Sequence, residues 1–214
     1  MILILAGRED TLAAEVAARL GKEACILDWP AVRFAGDTIE GGEPSAVLVR
    51  SLPPLAAGDD TDEAYLQQEW YAAAIGLLGN LPCRVINRPY PLRTFRWPHA
   101  FARQILAAGF HLPEVSFTTG QTLAGARSSE LNLSSVVGRA RGLALQPAVV
   151  TVVCGAAFPE HQAALNLAAS LNLDLVTFQI AEGNVLTAIE DIPSSLPEAP
   201  FNHLCDILAG EAQS

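Results

Sequence analysis

The sequence predicts an α/β protein: a small open parallel sheet with helices over residues 1–90, then an α+β unit over residues 91–214. Three observations carry that reading. Short, continuous apolar runs recur at Ile2–Leu5, Ala24–Leu27, 46–50 and Arg84–Ile86, as expected of strands covered on both faces. Helical patterns alternate with them, the order that builds a parallel sheet. In the second half, 175–181 and 185–189 flank Glu182-Gly183-Asn184, which suits a hairpin and brings in antiparallel pairing. With 50% hydrophobic and 17% charged residues among 214, the chain can bury a core and is not disordered.

Taken in order, Ile2–Leu5 is the first strand. Asp10 is placed to cap a helix over residues 11–20, with Leu12, Val16 and Leu20 on one face and Gly21 as its stop. Ala24–Leu27 is the second strand, 28–45 is turn-rich, and 46–50 is the third strand. Asp60 and Glu63 have capping-box spacing and open a long helix with Leu66, Trp70, Ala73 or Ala74, and Leu77 facing inward. Arg84–Ile86 follows as a strand. A helix from Pro98 places Phe101, Ile105 and Ala108 on one face and ends at Gly109. Residues 114–118 read as extended, and 119–147 as a loop with a helix near 129–141. Residues 148–154 are strand-like. Pro159 opens a helix to about 171, and Pro200 opens the last one, with Phe201, Leu204, Cys205 and Leu208 inward. The domain boundary is expected between Pro89 and Pro98.

The formal net charge is −10, and no basic stripe is present, so nucleic-acid binding is not expected. No apolar run reaches the length of a membrane span, and Met1 to Leu5 is too short for a signal peptide, so a cytoplasmic protein is expected. Cys25, Cys83, Cys154 and Cys205 have no CxxC spacing and read as free thiols of a reducing compartment. His99, His111, His161 and His203 lack metal-ligand spacing and read as surface or capping residues. There is no GxGxxG, no P-loop and no GxSxG.

Three places could carry function. Asn87 and Arg88 leave the strand 84–86 at the carboxyl end, where α/β sheets bind ligands; a plain turn exit is the competing reading. Arg50 leaves a neighbouring strand in the same way, either toward the same crevice or into solvent. Glu190 and Asp191, at the last strand's end, could hold Mg²⁺ or form a solvated turn.

The run Ile86-Asn87-Arg88-Pro89, followed by GF and LPEV at 109–115, resembles the ATP-grasp superfamily, closest to its glutamate-ligase-like and peptide-modifying members. The segments ALNLAASLNLDLVTF at 164–178 and TAIEDIPSS at 187–195 are similar to that family's late helix, strand and metal-binding strand. The resemblance implies a pre-ATP-grasp-like α/β domain followed by an ATP-grasp domain, with ATP and Mg²⁺ as cofactors. Several residues depart from the pattern. The chain's single lysine, Lys22, lies in the first unit, whereas the family holds phosphates with lysines of its central subdomains. Ile192 stands where the family has the asparagine of its metal pair, and offers no oxygen ligand. Only 29 residues separate Phe117 from Pro147, too few for two nucleotide-clasping subdomains.

The expectation is therefore a shortened, degenerate ATP-grasp-like protein, a pseudoenzyme with no catalytic residue, metal or cofactor. It would bind a small ligand, a peptide or a protein partner in the cleft between the two halves, with Arg50, Asn87 and Arg88 as the candidate cleft residues. The alternative is an active ATP-dependent carboxylate–amine ligase that forms an acyl-phosphate, with arginines on the phosphates and Glu190 with Asp191 on Mg²⁺. An unrelated α/β binding module is the third reading. The apolar segments 148–154, 165–173 and 175–180 suggest a covering partner: a homodimer, or a heterodimer with a full-length ATP-grasp relative.

Overall fold

The computed structural model describes residues 1–35, 38–39, 42–51, 61–89, 101–112 and 147–210. β1 (Ile2–Leu5) is buried at all four positions. α1 (Thr11–Leu20) follows, capped by the Asp10 carboxylate, which accepts from Ala13 N at 2.9 Å. Gly21, at φ 64°, ends it and returns its N–H to the Ala17 carbonyl. β2 (Ala24–Leu27), β5 (Ala46–Val49) and β6 (Arg84–Ile86) complete a parallel sheet in the order β2-β1-β5-β6. Between β2 and β5 lies a two-stranded ribbon, β3 (Phe34–Ala35) and β4 (Thr38–Ile39).

Successive side chains of a strand point to opposite faces, and both faces of this sheet are covered. Ile2 and Ile4 pack with Leu12, Val16 and the last helix. Leu3 and Leu5 pack with Trp29, Ala74 and Leu78. That two-sided burial is why the strands read as unbroken apolar runs. α2 (Thr61–Asn80) buries Ala74, Leu77 and Leu78 and half-buries Trp70. Leu66, expected on the inner face, is 66% exposed. The inner stripe engages the sheet only through the last two turns or so, and Leu66 lies before it. The expected capping residue Asp60 is outside the described residues.

After α3 (Ala102–Ala107), which buries Ile105, the second sheet is antiparallel in the order β10-β9-β7-β8. It comprises β7 (Ala148–Val153), β8 (Ala156–Phe158), β9 (Leu175–Ala181) and β10 (Val185–Glu190). The β9–β10 hairpin turns through Gly183 and Asn184, both with positive φ, as the sequence suggests. The free side of β10 is met by His111, which donates its N–H to the Asn184 carbonyl and accepts from Leu186 N.

Two expectations change here. β8 is not foreseen: Cys154 and Gly155, at φ 45° and 88°, make a two-residue hairpin turn, and the chain pairs back on β7. Pro159 consequently lies in the exit from β8 and does not open the helix. α4 (Gln162–Ser170) is capped instead by His161, whose Nδ1 accepts from Ala164 N at 3.2 Å. α5 (Glu198–Ala209) also begins before the expected Pro200. The segments 90–100, 113–118 and 119–146, which hold the expected domain boundary and a further helix, lie outside the described residues.

α5 joins the halves. Leu204, Cys205, Ile207 and Leu208 share one core with Ile2, Ile4, Leu48 and Ile86 of the first sheet and with Val153 and Leu175 of the second. A separate core under the second sheet gathers Ile105, Phe110, Val150, Leu167, Phe178 and Leu186. The segments expected to need a covering partner are thus covered by the chain's own helices. Val149, 49% exposed, is the one large apolar side chain of those segments left outside among the described residues. The exposed positions of α4 are Gln162, Asn166, Ala169 and Ser170, none of them a leucine. No helix among the described residues is long and apolar enough to cross a membrane.

Candidate functional site

Arg50, Asn87 and Arg88 leave adjacent parallel strands, β5 and β6, at their carboxyl ends. Their side chains then diverge, and the structure does not gather them in one crevice.

Arg50 turns toward β1. It is 3% exposed and grips the Asp10 carboxylate side-on, Nε to Oδ2 and Nη2 to Oδ1, each at 3.0 Å. Asp10 therefore serves two partners, the first turn of α1 and Arg50. The paired charges explain how arginine is tolerated at this depth. Nη1 of Arg50 is buried with no hydrogen-bond partner among the described residues.

Asn87 turns toward the second sheet. It is 1% exposed and sits at φ 59°, a conformation that asparagine tolerates better than most residues. Its Nδ2 donates to the carbonyls of Leu175 and Asp191, each at 3.0 Å, and its Oδ1 accepts from Leu175 N at 2.9 Å. Its own N–H donates to Asp174 Oδ2 at 3.2 Å. One side-chain amide thus joins the end of β6 to the start of β9 and the end of β10.

Arg88 folds back along its own strand. Nη1 donates to the carbonyls of Leu78 (2.8 Å) and Gly79 (2.7 Å), and Nη2 to those of Leu81 (3.3 Å) and Cys83 (3.2 Å). These oxygens lie at the end of α2 and in the turn before β6, toward the amino edge of the sheet. α2 has no basic residue in its last turn, and Arg88 supplies the missing positive charge and donors.

At the end of β10, Glu190 Oε1 accepts from Gln179 Nε2 at 3.0 Å. Asp191 contributes its backbone carbonyl to Asn87. Among the described residues no group of three or more histidine, cysteine, aspartate or glutamate side chains is arranged to hold a metal ion. Glu190 and Asp191 are adjacent carboxylates at the end of β10, and Ile192 beside them offers no oxygen ligand. Sequence reasoning missed Asp10 and Asp174 as partners of the strand-end residues. Asp10 is visible in sequence only as a helix cap, and Asp174 carries no local signal at all.

The cysteines offer no activated nucleophile among those with a shifted pKa. Burial, reinforced by Asp174, pushes the Cys154 thiol up to about 11. Burial raises Cys205 to about 11 and raises Cys83 as well. All four thiols are free. A groove of about 360 Å³ between α3 and α4 is lined by Arg103, Gln104, Ala107, Ala108, Asn166 and Ser170, and none of the expected site residues reaches it.

No family model matches this chain, and no curated protein matches it in sequence. Solved structures do. It is similar to the ATP-grasp ligase PsnB, solved with a phosphomimetic variant of a minimal precursor, Mg and ADP, at 16% identity and a TM-score of 0.66 over 98% of both chains. The macrocyclase MdnC of Microcystis aeruginosa MRC, bound with the precursor peptide MdnA, matches at 13% identity and a TM-score of 0.61, over 99% of this chain and 100% of that one. A RimK domain ATP-grasp protein of Sphaerobacter thermophilus matches at 14% identity and 0.57, over 98% and 99%. With its parallel sheet followed by an antiparallel one, matched nearly end to end, the chain has the fold of the ATP-grasp ligases.

Proposed function

We propose that this chain is an ATP-grasp-like protein without ligase chemistry, which binds a small ligand, a peptide or a protein partner at the carboxyl edge of its parallel sheet. The observation that carries the reading is the place of its only lysine. Lys22 lies in the exposed turn Gly21–Glu23, just before β2. β2 runs parallel to β1, with Ala24 opposite Ile2, so Lys22 is at the amino edge, across the sheet from the crevice. A lysine there lies beside the first sheet, outside the central segments where the resembled family places its phosphate-holding lysines. Ile192, which offers no oxygen where the resembled family has an asparagine, supports the same reading. A peptide is a reasonable occupant because MdnC and PsnB were solved with precursor peptides.

The active ligase is the competing reading, favoured by the likeness to a ligase solved with Mg and ADP. Thermal unfolding separates the two. A ligand held by the folded state alone at 100 times its dissociation constant stabilises it by about 2.7 kcal/mol, which moves the midpoint by several degrees. The expected result is no Mg-dependent rise with millimolar ATP. A reproducible rise with Mg-ATP that AMP does not give would establish the ligase reading instead.

A further inference from the structure

The parallel sheet has one topological switch point. β2 lies on one side of β1 and β5 on the other, so the chain leaves β1 and β5 in opposite directions and a crevice opens between their carboxyl ends. Arg50 stands there. Its side-on grip of Asp10 uses one of the two parallel N–H pairs of the planar guanidinium. The second pair, at the tip, has one N–H from Nη1 and one from Nη2. Nη1 is buried and unpartnered among the described residues, in a side chain only 2% exposed. A buried cationic donor left without an acceptor is unfavourable, and such groups mark strain or a binding role. The ten-residue helix α1 begins at the same place, with its amino end toward the crevice. Arg8, on the exit of β1, is 90% exposed, and its Nε lies 3.7 Å from Asp28.

We propose that the crevice between β1 and β5 is a site for a small oxyanion, held by the tip of the Arg50 guanidinium. Two coplanar oxygens on one centre match that fork, a geometry shared by a carboxylate and a phosphate. Asp10 fixes the plane of the guanidinium and so aims the tip. Because Asp10 also cancels much of the charge and already caps α1, affinity comes from the paired hydrogen bonds, and binding in the millimolar range follows. Entry requires the exit of β1 to move. Gly7 in that exit is exposed, and its carbonyl accepts from Asp10 N at 3.1 Å, a bond that such a movement would break. The inference deepens the ligand-binding reading and rests on it.

The test is an NMR titration of the arginine side-chain signals with sodium acetate, with sodium phosphate, and with sodium chloride at matched ionic strength. The expected result is a saturable shift of the Arg50 signals with acetate or phosphate and none with chloride. Whichever oxyanion saturates at lower concentration identifies the source. Arg50→Lys, which keeps a cation for Asp10 but has no fork, should weaken the same response at least about tenfold, read from backbone amides near Gly7. If that variant does not fold, the wild-type titration decides alone. Equal, non-saturating shifts in all three salts would overturn the proposal. So would Nη1 protons already protected from exchange in chloride alone, since a structural water would then satisfy them. A Mg-dependent ATP effect would overturn the non-catalytic reading and leave this outcome unaffected, so the two failures are distinguishable.

Discussion

Asn87 shows how much a single polar residue can carry when it sits at a junction. Its amide behaves as a short piece of strand, pairing with both the N–H and the carbonyl of Leu175. Replacing it leaves those groups buried and unpaired, the costly case for a hydrogen bond. Asn87→Ala should lower stability by about 3 kcal/mol in urea unfolding, from three lost hydrogen bonds and the strain of alanine at positive φ. Asn87→Gly relieves the backbone strain but not the lost bonds, and should recover about 1 kcal/mol of that loss. Equal and small effects of both substitutions would show that the junction is held elsewhere. The sequence shows a polar exit from an apolar strand and no more. Whether such an asparagine faces a ligand or another strand depends on a segment 88 residues away, which local pattern does not encode.

Among the elements, α2 and its cap follow the same logic. Arg88, eight residues beyond the helix end, closes the carbonyls of Leu78 and Gly79, which no intrahelical donor can reach. Arg88→Met keeps the aliphatic stem and removes the donors. It should lower stability by about 1–2 kcal/mol and speed amide exchange in the last turn of α2, with β1 unchanged. Unaltered exchange in that turn would show that the fork is not what holds the helix end. Other elements were legible to different degrees. Helix α1 was fully readable, because Asp10 and Gly21 are local signals. β8 was not, because a cysteine at positive φ is an uncommon turn former and the pairing only repays its cost once β7 is in place.

For the whole molecule, the decisive feature is α5. By packing Leu204 and Leu208 between the two sheets, it buries apolar surface that would otherwise call for a partner. Association through the second half requires that surface to be open. Light scattering over a dilution series should accordingly show no association that depends on α4. A dimer that a charge at Ala169, introduced as Ala169→Glu, dissociates would restore the original expectation. Ala169 suits this test because it is exposed and its substitution does not disturb the core.

The local elements and their class are legible in residue order alone. Apolar runs fixed the parallel strands, caps and glycines fixed α1, and the Gly183-Asn184 turn fixed the β9–β10 hairpin, since each of these depends on neighbours a few residues apart. The resemblance carried by its motifs also pointed to the ATP-grasp fold that the solved structures share. Long-range packing sets where three strand-end side chains turn: Arg50 to Asp10, Asn87 to β9, Arg88 back to α2. Each is a polar side chain leaving the same edge of the same sheet. Backbone pattern places its Cα, but its partner is chosen by whichever buried, unpaired oxygen or N–H the rest of the fold brings within about 3 Å.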